Sequence, residues 1–127
     1  MAKGDDIQER LVGFAVRALD LCDRLPKSAS SSHIVSQLIR SSSSAAPNYA
    51  EARGAESRND LIHKLGIVFK ELNESEVWLE MLVRRDTEGM EELRALREEC
   101  SVLCRIIAAS RKTAAATARI DTDRPKR

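Results

Sequence analysis

Apolar residues recur at steps of three and four in four segments of the chain, and this spacing predicts four helices. Asp6 and Glu9 form a candidate capping box at the start of the first helix, residues 6–25. Pro26 predicts its end, because proline disfavours helical backbone at the residue before it. The predicted inward row of this helix is Ile7, Leu11, Phe14, Ala18, Leu21, Cys22 and Leu25.

The second predicted helix, residues 31–52, has an unusual centre in which four serines and two alanines precede Pro47. Pro47 cannot donate a backbone hydrogen bond, so we expect a kink there. A low-complexity linker is the alternative for the serine run, but helical periodicity on both sides favours a helix that Gly54 closes. Its predicted inward residues are Ile34, Val35, Leu38, Ala45 and Tyr49.

The third predicted helix, residues 57–86 with Ser57 as its cap, has more apolar surface than one seam of a bundle needs. Its inward row is Leu61, Leu65, Val68, Leu72, Ser75, Leu79 and Leu82. A second row comprises Ile62, Phe69 and Val83. Three further apolar residues predict an oligomer contact, because large exposed patches mark interfaces. They are Ile67, Trp78 and Met81.

The fourth predicted helix, residues 88–119, repeats the same pattern, and we expect residues 121–127 to form a disordered tail. Its inward row is Leu93, Leu96, Cys100, Leu103, Ile107, Ser110, Ala114 and Thr117. Seven-residue regularity is typical of shallow helix crossings. The sequence therefore predicts an all-α, up-down four-helix bundle as a single domain of residues 1–120. An aromatic content of only 3% argues against an all-β fold.

Charge is distributed unevenly, although the net charge is only +1. Residues 71–99 contain ten acids and four bases, whereas residues 100–127 contain seven bases and two acids. Phosphate contact at the basic end is one interpretation. A solvated helix end that complements the helix dipole is the other. The candidate nucleic-acid-binding residues are Arg111, Lys112 and Arg119.

Little in the sequence indicates catalysis or a cofactor, so we expect neither, and assign no catalytic or metal-binding residue. Neither histidine follows a glutamate by three residues, as a di-iron bundle requires. A zinc site from Cys100, Cys104 and His63 is conceivable, but burial of the cysteines as small apolar residues is favoured. Three cysteines without a CxxC pair, no secretory signal and no long apolar run indicate a cytoplasmic protein without membrane contact.

The central part of the chain resembles a known family. Its motifs are QLIRS at 37–41, NYAEA at 48–52, AESRNDLIHKL at 55–65, KELNES at 70–75 and Trp78-Leu79. Together they resemble the four-helix-bundle family of 23S ribosomal RNA intervening-sequence proteins, related to the accessory variability proteins of diversity-generating retroelements. The similarity extends from about Ile7 to Ile107.

The resemblance implies a homopentameric ring of four-helix bundles with no established enzymatic activity. The retroelement relatives bind a reverse transcriptase and nucleic acid through a basic surface. We therefore expect self-assembly, RNA or DNA as a partner, and a reverse transcriptase or another protein as a second partner. The competing expectation is a structural oligomer with a protein partner and no nucleic acid.

Polar residues of these motifs also form a stripe along the second helix, which acidic residues of the third helix could face. The stripe permits three interpretations: a hydrogen-bond network within one chain, a subunit contact, or a ligand site. Its residues are Arg40, Ser44, Asn48, Glu51, Glu71 and Glu74.

Overall fold

Four helices account for nearly all of the chain in the computed structural model, which describes residues 4–123 and the side-chain environment of residues 4–120. They are α1 (Asp5–Arg24), α2 (Ala29–Arg53), α3 (Arg58–Arg85) and α4 (Glu91–Asp123). The described residues contain no strand. The predicted all-α four-helix bundle is confirmed.

Contacts between the helices define an up-down-up-down arrangement. Helices α2 and α4 both pack against α1 and against α3, so α1 and α3 occupy opposite corners. Paired side chains show that α1 and α4 run antiparallel: Arg17 meets Glu92, and Arg10 meets Glu99. The same holds between α3 and α4, where Arg97 bonds Glu80 and Arg111 bonds the Ile62 carbonyl.

The core is formed by the predicted apolar rows. Most predicted inward residues are buried, and Ile7, Leu25, Ile34, Val35 and Leu61 are half-buried beside them. Helix α2 contributes more residues to the core than its predicted inward row contains. The additional buried residues are Ser41, Ser42, Ala46 and Ala52. Small side chains permit close helix approach, which explains the serine and alanine run at the centre of α2.

Local signals at the helix ends set most boundaries. Ser28 and Ser31 form a reciprocal capping box at the start of α2. Ser57 accepts from the Asp60 backbone as predicted, and Gly54 closes α2. Helix α2 continues without interruption through Pro47.

Several sequence-based boundaries need correction. Helix α2 begins at Ala29, two residues before its predicted start, because its capping box is formed by Ser28 and Ser31. Asp6 does not cap α1, because the helix begins one residue earlier, at Asp5. Gly4 precedes the helix with a φ of 97°, an angle that glycine adopts readily because it has no Cβ. Asp6 instead lies in the first turn, where its charge favours the helix dipole.

Helix α4 begins at Glu91 rather than 88, because the Asp86 carboxylate accepts from the Glu88 and Met90 backbone N–H groups and holds them in a turn. The helix also continues to Asp123, four residues past its predicted end. Most of the predicted tail, 124–127, lies outside the described residues.

Helix lengths leave one end of the bundle open. The Arg10–Glu99 and Arg17–Glu92 pairs set a register in which the start of α1 reaches only about Arg105 of α4. About 27 Å of α4 therefore extends past α1 at a rise of 1.5 Å per residue. No helix in residues 4–123 has the length and apolar character needed to cross a membrane.

Candidate nucleic-acid interface

The extended part of α4 carries the three candidate nucleic-acid-binding cations. Arg111, Lys112 and Arg119 are all exposed. None of them forms an ion pair with a side chain in residues 4–120. Seven other arginines form ion pairs in the same region, whereas Arg24, Lys27 and Lys70 are exposed and unpaired elsewhere on the bundle. Unpaired exposed cations on one helix are the groups that phosphate contact needs.

Arg111 is held against α3. Its Nε donates to the Ile62 carbonyl oxygen at 3.3 Å. Gly66 makes room for the guanidinium, because a Cβ at Gly66 would lie 3.1 Å from the Arg111 Cζ. The sequence did not single out Gly66, although a lone glycine inside a helical pattern is a signal for close packing.

Arg111 and Lys112 also line a shallow groove between α3 and α4, which we call the basic groove. Its volume is about 330 Å³, and its other lining residues are Ile62, Phe69, Ala108 and Ala115. Arg119 lies about 12 Å further along the helix axis than Arg111, at eight residues of 1.5 Å. The structure therefore brings Arg111 and Lys112 together and places Arg119 beyond them on the extended end.

The polar stripe is connected mainly within the chain. Arg40 forms ion pairs with Glu71, at 3.1 Å, and with Glu74, on α3. The Ser44 hydroxyl donates to the Arg40 carbonyl, and the Asn48 amide donates to the Ser44 carbonyl. Glu51 is exposed at the end of the stripe. This geometry favours the first of the three interpretations, a network inside one chain.

The contacts of Arg40 lower the pKa of Glu74. The hydrogen bond that Arg40 donates brings this pKa below its ordinary value, and the positive charge of Arg40 and the hydrogen bond from the Trp78 indole lower it further. Trp78 Nε1 donates to Glu74 at 3.4 Å. The arrangement keeps Glu74 ionised and fixes α2 against α3.

A buried serine pair lies beside the stripe and was not recognised in the sequence. Ser75 Oγ lies 2.7 Å from Ser41 Oγ and 2.9 Å from the Glu71 carbonyl oxygen. Both serines are fully buried. Ser75 stood in the predicted inward row, but its partner depends on the register between α2 and α3.

The acidic segment 71–99 is largely neutralised within the chain. Glu80 pairs with Arg84 and Arg97, Glu92 with Arg17, and Glu99 with Arg10. Most of these pairs join different helices. Many of the acidic side chains of this segment therefore form ion pairs between helices of the same bundle.

The predicted oligomer-contact residues differ in their surroundings. Trp78 packs against the core, and its ring meets His33 edge-on at 6.0 Å. Ile67 is half-buried, whereas Met81 is 41% exposed. Its neighbour on the same helix, Val77, is 50% exposed and was missed. We call Val77 and Met81 the α3 face.

Helix α1 carries a second exposed apolar face that the sequence analysis also missed. Val12, Val16 and Leu19 are 40%, 49% and 38% exposed. Their spacing of four and three places them on one side of the helix, next to the core row. We call these three residues the α1 face. A search for a second apolar row on α1 would have found it.

A solved structure has the same fold. It is the crystal structure of a protein of unknown function from the S23 ribosomal protein family of Bacteroides thetaiotaomicron, with a TM-score of 0.77 and 31% sequence identity. The match covers 87% of this chain and 99% of that chain. Among curated proteins, none matches the chain. The family model described as 23S rRNA-intervening sequence protein matches residues 5–109, and the chain belongs to this family.

Proposed function

We propose that the protein is a non-enzymatic, homo-oligomeric four-helix-bundle module that scaffolds nucleic acid through the extended end of α4. The exposed and unpaired cations Arg111, Lys112 and Arg119 carry this proposal. A nucleic-acid enzyme such as a reverse transcriptase would be the second partner, as the resemblance to the retroelement accessory proteins implies.

The fixed position of Arg111 supports the proposal. Its Nε donates to the Ile62 carbonyl beside Gly66 of α3, and an arginine held by such a contact loses less side-chain entropy when it binds a phosphate. Lys112 remains exposed beside it. The two residues offer one oriented and one mobile donor to adjacent phosphate oxygens.

The α1 face and the α3 face support self-assembly. They lie on helices at opposite corners of the bundle. A contact between the α1 face of one subunit and the α3 face of the next is heterologous, and such contacts form a ring where their rotation closes and an open filament where it does not. The resemblance to the family implies a closed ring of five subunits. The ring would repeat the basic end around its axis and combine weak phosphate contacts into one strong interaction.

The serine and histidine positions support the absence of catalysis. Hydroxyls of α2 bond to helix carbonyls of the preceding turn, as Ser43 does to Ile39 at 2.6 Å. Ser41 and Ser75 are buried. His33 and His63 are both exposed, and His33 meets the Trp78 ring edge-on. In residues 4–120 neither histidine ring bonds to a serine hydroxyl, as a nucleophile–base pair requires.

Fluorescence anisotropy with structured RNA and with duplex DNA, each at two salt concentrations, tests the proposal. We expect the wild type to bind both, with affinity that falls steeply as salt rises because counterions are released. The combined variant Arg111→Glu, Lys112→Glu, Arg119→Glu should bind at least about tenfold more weakly, since three phosphate contacts become repulsive.

A matched variant controls for the change in net charge. Arg24→Glu, Lys27→Glu, Lys70→Glu reverses three exposed cations elsewhere on the bundle and should retain most of the affinity. Equal loss in both variants would mean that only net charge matters. No binding by the wild type at low salt would refute the nucleic-acid role.

A structural oligomer with a protein partner and no nucleic acid is the second candidate. The α1 face and the α3 face favour it, because they support assembly without reference to the basic end. Assembly of the wild type without binding to RNA or DNA would support this second candidate.

A further inference from the structure

Two cysteines and a glutamate come together on the seam between α3 and α4, apart from the basic groove. Cys100 and Cys104 are four residues apart and therefore lie on one side of α4. Glu76 faces them from α3. The two sulfur atoms and a Glu76 carboxylate oxygen all lie within 4.8 Å of one another. Glu76, and not His63, is therefore the third residue of this group. His63 is exposed and lies outside it.

Glu76 differs from the other glutamates of its helix. Glu71, Glu74 and Glu80 each have an arginine partner. Glu76 is half-buried and has no ion pair or hydrogen bond with the side chains and backbone of the described residues. A partly desolvated carboxylate is unfavourable without a cation. Its nearest polar neighbours in the group are two thiols.

The two thiols of this group lie inside the bundle. Cys100 is fully buried and Cys104 is 8% exposed. The hydrogen bond between the Cys100 thiol and Cys104, together with burial, raises the pKa of Cys100. Cys100 Sγ also lies 3.2 Å from the Leu72 carbonyl oxygen. Protonated buried thiols react poorly, yet a metal ion can displace their protons.

We propose that Glu76, Cys100 and Cys104 bind one Zn²⁺ ion. Each cysteine loses its proton to solvent as its Zn–S bond forms, and a Glu76 oxygen supplies the third ligand. Water occupies the fourth position on the solvent side of Glu76. Two thiolates and one carboxylate more than balance the charge of Zn²⁺, leaving a net charge of −1.

The required rearrangement is small. Ligand bonds of about 2.0–2.3 Å in a tetrahedral site place the ligand atoms about 3.5–3.8 Å apart. The three ligand atoms, which lie within 4.8 Å of one another, must therefore approach by about 1 Å. Thiolates favour Zn²⁺ over Mg²⁺ or Ca²⁺, and the carboxylate favours Zn²⁺ over Cu⁺. The bound ion would tie α3 to α4 at the middle of their seam.

Cobalt substitution tests the site. We expect the full-length protein, freed of metal by a chelator, to bind one Co²⁺ per chain with thiolate-to-cobalt charge-transfer bands and the intense d–d bands of tetrahedral coordination. Stoichiometric Zn²⁺ should abolish these bands. The Glu76→Gln variant, altered at a half-buried position, should bind Co²⁺ at least about tenfold more weakly by loss of a charged ligand.

Two cysteine variants complete the test. Cys104→Ser should bind Co²⁺ more weakly and show at most about half the charge-transfer intensity per bound ion, because one of two thiolates is lost, whereas Cys22→Ser, which removes a buried cysteine of α1, should keep the full bands. Circular dichroism establishes that each variant is folded. Absence of the bands in the wild type, full intensity and affinity in Cys104→Ser, or unchanged affinity in Glu76→Gln would each overturn the proposal.

Discussion

At the scale of single residues, the buried serine pair shows how polar groups are accommodated between helices. Ser41 and Ser75 bond each other at 2.7 Å in a fully buried position. The inward position of Ser75 could be read from its heptad spacing. Its partner could not, because a helical pattern fixes which face is buried but not the axial offset between two helices.

Replacement of Ser75 by alanine should destabilise the protein by about 1–3 kcal/mol, because the buried Ser41 hydroxyl loses its cross-helix partner. Urea unfolding followed by circular dichroism measures this change. Ser36→Ala removes an exposed hydroxyl and should change stability by less than about 0.5 kcal/mol. Equal stability of wild type and Ser75→Ala would show that the pair contributes nothing.

Glu74 should make stability depend on pH in the acid range. The Arg40 hydrogen bond lowers the folded-state pKa of Glu74 below its ordinary 4.5. A lowered folded-state pKa stabilises the protein above the unfolded pKa, and this contribution is lost as pH falls through the folded pKa. We expect Glu74→Gln to have a flatter stability profile below about pH 4.5.

Urea unfolding at a series of pH values checks the Glu74 profile. Glu98→Gln removes an exposed, unpaired glutamate inside α4 and controls for the loss of one negative charge. A wild-type profile in Glu74→Gln would contradict a stabilising role for the Arg40–Glu74 pair.

At the scale of helices, Pro47 is the clearest conflict between local preference and the fold. Proline inside a helix lacks an N–H group and clashes with the carbonyl four residues earlier, here that of Ser43. Helix α2 nevertheless continues through Pro47. Ala45, Ala46 and Tyr49 are buried around it, so packing overrides local propensity.

Pro47→Ala should therefore stabilise the protein by about 1–3 kcal/mol, because the Ser43 carbonyl regains a helical hydrogen bond. Pro26→Ala is the matched control. Pro26 is exposed and lies between helices, so its removal should slightly destabilise the protein through a more flexible unfolded chain. The denaturant midpoints of the two variants measure these changes in stability. Loss of stability in Pro47→Ala would contradict this explanation.

At the scale of the whole molecule, periodicity predicted the bundle and its seams but only part of the exposed faces, because Met81 of the α3 face was predicted whereas Val77 and the α1 face were not. The heptad rows gave the buried residues because hydrophobic burial dominates the choice of helix face. Trp78 was assigned to a contact between subunits, yet it packs on the core and on His33. A large aromatic residue at the edge of an apolar row fits either place, and only the packing of α2 beside it distinguishes them.

Assembly through the α1 face and the α3 face makes a prediction about variants. Every contact in the ring uses one face of each kind, so Val16→Glu or Met81→Glu alone should prevent ring closure. An equimolar mixture of the two variants should form dimers, because the intact α1 face of Met81→Glu can still bind the intact α3 face of Val16→Glu. Ala116→Glu, exposed on neither face, should leave assembly unchanged.

The molar mass of the wild type in solution, measured by light scattering at micromolar concentration, tests the central claim of self-assembly most directly. We predict a mass about five times the chain mass of 14.1 kDa. A mass near 14.1 kDa would contradict it, because a monomer leaves both the α1 face and the α3 face in water and presents only one set of basic residues.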